Sequence, residues 1–303
     1  MATMTRHQFA KQLQDGLNTV FGAEYDSFPT VYDKLFSEHT SSKAYEEDVL
    51  MVGLGGAVEK AEGSGISYDS GQEAWVARYD HSTIALAFAI TEEAIEDGRY
   101  GDLGQKYSRF LARSMRYTKE VRGHSVYNNA FDSNYAGGDG VALCSTSHPL
   151  VGGGTLANKP STDADISEEA LEDAMIAIDG FVDDRGIPIM VKAQRLVIPR
   201  QSQFIVHRIL KSSLQAGTAN NDTNALKDLG AFPDGVTVST YISDPDAWYI
   251  RTNAPDGLKC FTRRKLKRGM EGDFETGNMR YKASERYSFG WTDWRGVYAS
   301  SGA

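Results

Sequence analysis

The sequence predicts an α+β fold in which one long helix lies along long strands and extensions leave the body of the subunit. Three patterns lead there. Residues 278–292 alternate with period two: Met279, Tyr281, Ala283, Tyr287, Phe289 and Trp291 share one face, with Glu285 the only charge among them, and Arg280, Lys282, Ser284, Arg286, Ser288 and Thr292 share the other. Residues 91–131 carry an apolar stripe at steps of three and four. Residues 167–242 run helix, strand, helix, strand, the order of a separate α/β or α+β unit. The strand would extend roughly 50 Å and the helix about 45 Å, so the two are natural packing partners.

Taken from the N-terminus, residues 5–20 predict an amphipathic helix through Phe9, Leu13, Leu17 and Val20, followed by an irregular aromatic stretch from Phe21 to Phe36 broken by Pro29. So short a helix needs a surface to lie on, and residues 1–50 read as an arm and lead-in. Residues 51–90 read as an extended loop in the form of a long β-hairpin. Gly53, Gly55 and Gly56 open it, Ile66 and Tyr68 lie on one side, and Trp75, Ala77, Tyr79, Ile84, Leu86, Phe88 and Ile90 on the other. Its tip, Glu62 to Glu73, is too polar to bury, so the hairpin protrudes and needs a contact outside the subunit.

Residues 91–135 hold the spine helix, with Thr91 as N-cap, Glu92, Glu93 and Glu96 in the first turns, and an interruption near Gly98 and Gly101. Its stripe is Tyr107, Phe110, Leu111, Met115 and Val121, opposite Lys106, Arg109, Arg113, Arg116 and Lys119. Residues 136–257 begin with a glycine-rich crossing. Ser167 then caps a helix carrying Leu171, Ala174, Met175, Ile178, Phe181 and Val182. Gly186-Ile187-Pro188 ends it, and Ile189–Ile198 predicts a buried strand. A second helix should turn Phe204, Ile205, Ile209, Leu210 and Leu214 inward, before the polar loop Gly217–Asn224 and a strand Val236–Ile242. Residues 258–303 are expected to return to the spine helix as strands.

Composition narrows the function. The 303 residues are 41% hydrophobic, enough for a sizeable core, and carry a net charge of −9, which disfavours a freely diffusing nucleic-acid binder. The charge is uneven: −10 over residues 1–100, −4 over 101–250 and +5 over 251–303. Two cysteines give no disulfide framework, and the longest apolar run, Ile84–Ile90, is far short of a membrane helix. With no apolar signal core after Met1, a soluble, reduced, cytoplasmic chain is expected.

Few residues suggest chemistry. Cys144 and His148 are two ligands short of a zinc site; as a nucleophile and base they would make the chain a cytosolic hydrolase. Gly152-Gly153-Gly154-Thr155 lacks the lysine of a phosphate loop, and neither GxSxG nor HExxH occurs. The expectation is no catalytic residue, no metal and no cofactor. The run Lys259, Arg263, Arg264, Lys265, Lys267 and Arg268 reads either as a solvated strand or as a contact with nucleic-acid phosphates that reads no sequence.

The ordered set of arm, hairpin, spine helix, α/β insertion and long return strand resembles the major capsid proteins of tailed bacteriophages, the Hong Kong 97-type fold, and is most similar to the Mu-like major head subunit group. The resemblance rests on Arg185-Gly186-Ile187-Pro188, Leu196-Val197-Ile198-Pro199, Asn220-Asn221-Asp222-Thr223-Asn224, Tyr241 to Tyr249, and Arg286, Gly290 and Asp293-Trp294-Arg295-Gly296. It covers most of the chain beyond the first fifty residues.

The resemblance implies a shell subunit that self-assembles into hexamers and pentamers around double-stranded DNA in a virion. It would be put together in the host bacterial cytoplasm with portal and scaffolding or protease proteins, away from any membrane. It implies an extended loop over about 57–83 lying across a neighbour, a peripheral domain of spine helix and return strands, and an axial domain over 136–257. Some members carry an N-terminal scaffolding extension; here it is expected to be absent, removed or supplied separately. Lys60 has no matched crosslinking acceptor. Trp75, Arg78 and Tyr79 are the expected inter-subunit anchors, and Arg263, Arg264, Lys265, Lys267 and Arg268 the expected DNA-facing bases. The alternatives are an encapsulin-type compartment with the same fold, the Cys144/His148 hydrolase, and another phage structural component.

Overall fold

The computed structural model describes residues 10–91, 93, 100–214, 223–273 and 275–303. Phe9, Glu92, Glu96, Gly98 and Asn220-Asn221-Asp222, with most of the polar loop around them, lie outside the described residues.

Helix α1 spans Ala10–Ser27, longer than its predicted range, because Phe21 and Tyr25 continue the stripe begun by Leu17. These three residues bury against Leu111, Ala112 and Met115 of the spine helix and Tyr281 and Ala283 of the long strand. A short helix α2, Tyr32–Leu35, follows. The spine helix α3 runs Tyr100–Asn128. The buried Glu120 carboxylate on α3 accepts from the backbone N–H of Val31 at 2.8 Å and of Tyr32 at 3.1 Å, satisfying otherwise orphaned donors at the start of α2. The lead-in is thereby pinned to the spine.

A first sheet has the order β1 (Ser37–Thr40), β10 (Leu258–Gly272), β11 (Met279–Trp291), β4 (Ser82–Ile90). Strands β10, β11 and β4 are antiparallel neighbours, and β1 joins β10 in parallel. One face of this sheet receives α3 and α1. Glu285 of β11 lies on that face, 3% exposed, beside Lys119 of α3 at 3.9 Å and the Tyr25 hydroxyl at 3.3 Å. Burial pushes the Glu285 carboxyl up. Burial also opposes the charge on Lys119, but Tyr32 and Glu285 outweigh it and its pKa is raised. Lys119 is therefore a core residue and not, as its place among the basic residues suggested, part of the solvated side. The spine stripe also divides: Leu111 and Met115 are buried, while Tyr107, Phe110 and Val121 are exposed.

The crossing that follows α3 holds a two-stranded pair, β5 (His148–Pro149) and β6 (Thr155–Leu156), and a second sheet has the order β12 (Val297–Ser300), β9 (Trp248–Thr252), β7 (Ala193–Pro199), β8 (Val236–Ser239), with β7 and β8 parallel. The last strand of the chain thus leaves the first sheet and closes the second. Helix α4, Glu168–Asp179, starts at Ser167, whose hydroxyl accepts from Ala170 N–H, and buries Leu171, Ala174 and Ile178 against Leu196, Ile198 and Ile250. Helix α5, Gln203–Lys211, turns Val206 inward. The expected inward residues Phe204, Ile205 and Leu214 are exposed, because the sheet meets the helix face centred on Val206, Ile209 and Leu210. The short helix α6, Ala225–Asp228, follows. A third core joins the two sheets at the end of α3 through Tyr127, Val197, Tyr249, Cys260 and Val297.

The chain crosses between the sheets where Gly257 and Gly296 meet back to back: a Cβ on Gly296 would fall 2.6 Å from the Gly257 Cα. Only glycine fits there.

Candidate assembly surface

The protruding hairpin is made by β2 (Tyr45–Val52) and β3 (Gln72–Asp80), paired antiparallel from Tyr45↔Asp80 to Val52↔Gln72. The sequence pattern pointed instead to pairing across a tip at 62–73, with Ile84 to Ile90 in the hairpin. The chain turns at His81, and Ser82–Ile90 pairs with β11 in the first sheet. Residues 53–71 connect β2 and β3 without forming a strand. They carry Leu54, Val58, Ile66 and Tyr68 exposed, the last at 94%. Burying four such side chains is worth several kcal/mol in an assembly, and none of the described residues covers them.

The base of the hairpin is fastened. The Tyr79 ring sits 4.8 Å from the Phe261 ring and against Gly290, whose Cβ position would lie 2.9 Å from Tyr79 Cε1. Thr292 Oγ1 donates to Asp48 Oδ2 at 2.7 Å and is 2.7 Å from the Tyr79 hydroxyl, which must then be the donor to it. Lys259 Nζ donates to Asp48 and, at 2.8 Å, to Asp256. Burial opposes ionisation of Asp48, but Lys259 and Thr292 outweigh it and hold the carboxyl below its usual range. His81 at the corner bridges Ser288 and Ser41, each at 2.9 Å. Its pKa is lowered, by burial first and then by Arg286.

The three expected anchors therefore separate. Tyr79 is 3% exposed and works inside its own subunit, a correction to its expected role between subunits. Arg78 stays at the surface, stacked over the Tyr45 ring at 4.0 Å and paired with Asp80 at 3.1 Å. Trp75 is half-buried on β3.

The basic run falls on β10, whose pairing with β11 shifts register between Thr262 and Arg264 and again between Arg264 and Lys267. These irregularities distribute the charges. Arg268 points toward α1, donating to Asn18 O at 2.6 Å with its guanidinium 5.6 Å from the Phe21 ring. Arg263 donates to Lys43 O at 2.8 Å, and Lys259 is buried at the hairpin base. Arg264, Lys265 and Lys267 are exposed, and Arg264 reaches the Ser284 hydroxyl at 3.1 Å. Across the strands Arg264 is paired with Arg286, Lys267 with Ser284, and Arg280 and Lys282 lie further along. Of the five expected DNA-facing bases, three remain at the surface.

Cys144 and His148 belong to different environments. Cys144 is enclosed in the core that joins the sheets, and burial pushes its thiol far above the usual range. His148 is fully buried, with Nδ1 2.6 Å from Asp139 Oδ2 and Nε2 3.1 Å from Asn158 Oδ1, and its ring stacks on Trp294 at 4.4 Å. Both ring nitrogens are engaged within the 139–158 crossing, and the stacking on Trp294 together with Asn158 Nδ2, which donates to Trp294 O at 3.2 Å and Val297 O at 3.0 Å, ties that crossing to the C-terminal segment. Among the described residues no group of three or more His, Cys, Asp or Glu side chains is placed to hold a metal ion, and no helix is long and apolar enough to cross a membrane.

Sequence reasoning missed Asp48, Asp69, Arg185 and Thr292, all of which fix the hairpin. Arg185 opens the Arg185-Gly186-Ile187-Pro188 segment, but nothing local signals that it reaches a residue 116 positions away.

A family model described as Phage capsid protein matches residues 75–300. No curated protein matches the sequence. Among solved structures, the capsid of cyanophage P-SCSP1u is similar with a TM-score of 0.57 and 10% identity, covering 91% of this chain and 88% of that one. The capsid of Myoviridae phage XM1 is similar with a TM-score of 0.54 and 10% identity over 89% of each chain. A virus-like particle from Pyrococcus furiosus aligns with a TM-score of 0.53 and 13% identity, over 96% of this chain and 98% of that one. At such identities these likenesses establish a shared fold, that of the Hong Kong 97-type shells, and the family match separates the phage reading from the encapsulin-type one. With three-quarters of its length inside the family model, the chain belongs to the phage capsid protein family.

Proposed function

We propose that copies of this chain, as the major head protein of a tailed phage nearest the Mu-like group, close into an icosahedral shell of hexamers and pentamers around double-stranded DNA. Its role is structural rather than enzymatic. The shell assembles in the host bacterial cytoplasm, with portal and scaffolding or protease proteins as further partners, and becomes the virion capsid. In this reading α3 with the first sheet is the peripheral domain and the second sheet with its helices is the axial domain. The observation that carries the proposal is the 53–71 loop, with its apolar residues held out from a fastened base. A neighbouring copy is the surface that would cover them, with Trp75 and Arg78 at the margin of the contact.

The test is negative-stain microscopy of the purified chain beside a variant lacking residues 57–67. The whole chain should give closed particles, and the variant should unfold at the same temperature yet give none. Particles of wild-type form from the variant would remove the loop from the mechanism. For the interior, replacing Arg264, Lys265 and Lys267 by Gln should leave particles intact and make DNA retention fail at lower salt. Unchanged retention across salt concentrations would place the DNA against another surface.

A further inference from the structure

Among the described residues, one polar connection joins the extended loop to the second-sheet body. Arg185 Nη1 donates to Asp69 Oδ2 at 2.7 Å, and Nη2 donates to the Ser70 carbonyl at 2.6 Å. The same Asp69 oxygen accepts from Gly55 N–H at 2.7 Å, tying the outgoing and returning limbs of the loop together. A guanidinium that divides its two N–H groups between a carboxylate and a carbonyl fixes direction as well as distance.

Both ends of this connection are prepared. Arg185 sits on a tight turn closed by Asp183 N–H to Ile187 O at 2.8 Å, with Asp183 Oδ1 accepting from both Arg185 N–H and Ile187 N–H at 2.8 Å. Gly186 supplies the left-handed backbone at φ +81°. From beneath, the buried Arg295 donates to Val182 O at 2.9 Å and reaches Asp184 at 3.5 Å, while Asp293 holds Arg295 at 3.2 Å. A continuous polar series therefore runs from the C-terminal segment through the 182–188 turn to the extended loop. At the far end of β3, the Tyr79 base gives a second point of support. Two separated supports define an angle, which a single hinge does not.

We propose that Arg185 is a positioning residue for assembly: by clasping the base of the extended loop to the subunit's own second-sheet body, it sets the angle at which the loop leaves to meet a neighbouring copy. The proposal rests on the assembly reading above, since an angle of departure matters only if the loop engages another subunit. An isolated surface ion pair does little. This one has three donors converging on two adjacent loop residues, with the guanidinium already oriented by a rigid turn.

The experiment compares wild type, Arg185→Ala, Arg185→Lys and Asp69→Asn by hydrogen exchange on unassembled subunits and by the diameter distribution of assembled particles. In Arg185→Ala the amides of Gly55 and Ser70, which donate to Asp69, should exchange about 3- to 10-fold faster, with those of β11 and α3 unchanged. Its particles should spread in diameter or remain open. Arg185→Lys keeps the charge but cannot reach both acceptors, and should fall between. Raising salt toward 1 M should loosen the wild-type loop and leave Arg185→Ala unaffected. Wild-type exchange and wild-type diameters in Arg185→Ala would overturn the proposal. Failure of the wild-type chain itself to form particles would count against the assembly reading, and the exchange data would still decide whether the clasp exists.

Discussion

Replacing Tyr79 separates the two ways in which the hairpin base is held. The side chain is 3% exposed, packs edge-on to Phe261 with ring centroids 4.8 Å apart, and donates to Thr292 Oγ1 at 2.7 Å. Tyr79→Phe removes only the hydroxyl. Thr292 keeps its own donation to Asp48 at 2.7 Å, so no donor is orphaned and the cost should be about 1 kcal/mol. Tyr79→Ala removes the hydroxyl, about 1 kcal/mol of edge-to-face ring contact, and the burial of the ring, about 2 kcal/mol. The total is about 4 kcal/mol, within the range for losing a buried aromatic side chain. Urea unfolding of the unassembled subunit measures both, and hydrogen exchange over 45–80 should rise far more in Tyr79→Ala than in Tyr79→Phe. If both variants lose the same 1 kcal/mol, the ring is not the wedge that holds the hairpin, and the hydrogen bond alone would account for the support.

Other sites give independent tests. Gly296→Ala places a methyl 2.6 Å from the Gly257 Cα, a backbone contact that cannot move cheaply, and should destabilise by about 3 kcal/mol in thermal unfolding; a loss below 1 kcal/mol would mean that the crossing is pliant. Lys119→Met leaves Glu285 buried without its cation and should cost about 3 kcal/mol, most of it recovered in the double variant with Glu285→Leu. A double variant no better than the single would show that the pair is not what Lys119 contributes. The N–H of Gly55, then Arg185 and Ser70, hold the Asp69 carboxyl down at about 2. Its contribution to folding is therefore present above the ordinary carboxyl range near 3.8 and is lost as pH falls through about 2. Carboxyl NMR of labelled aspartate should find one group still ionised at pH 3, and Arg185→Ala should raise its midpoint.

Local periodicity made the long elements legible. The alternation of residues 278–292 gives β11 and its buried face, and Ser167 marks the start of α4 through its own hydroxyl. What stayed hidden depends on partners distant in sequence. From Trp75 to Ile90 the alternation runs without a glycine or proline, so it reads as one strand, yet at His81 the chain passes from one sheet to another. Lys119 looked solvated because its partner Glu285 is far along the chain. In α5, helical spacing supplied several apolar rows, and only the neighbouring sheet selects the one with Val206. The basic run reads as one patch in the sequence, but two register shifts in β10 send Arg268 to the helix side and leave Arg264, Lys265 and Lys267 outside. For the assembly surface, composition marked the loop, while the residues that aim it, Asp69 and Arg185, carried no local signal.

The distribution of charge supports a particular kind of association. Residues 45–80 hold eight acids and two bases, and residues 258–291 hold nine bases and four acids. Only Asp48 and Lys259 join these segments as an ion pair inside the subunit, among the described residues. The remaining acids of 45–80 and bases of 258–291 are mostly exposed. A two-fold contact made by either segment with itself would place like charges together, whereas a contact of one segment with the other segment of a second copy places acid against base. Head-to-tail contacts repeat, and with a fixed angle they close into rings. The net charge of −9 thus averages an acidic segment and a basic one. Such contacts are screened within a few ångströms at high ionic strength, so salt should slow ring formation well before it affects the folded subunit, while the apolar loop residues, insensitive to screening, keep completed shells together.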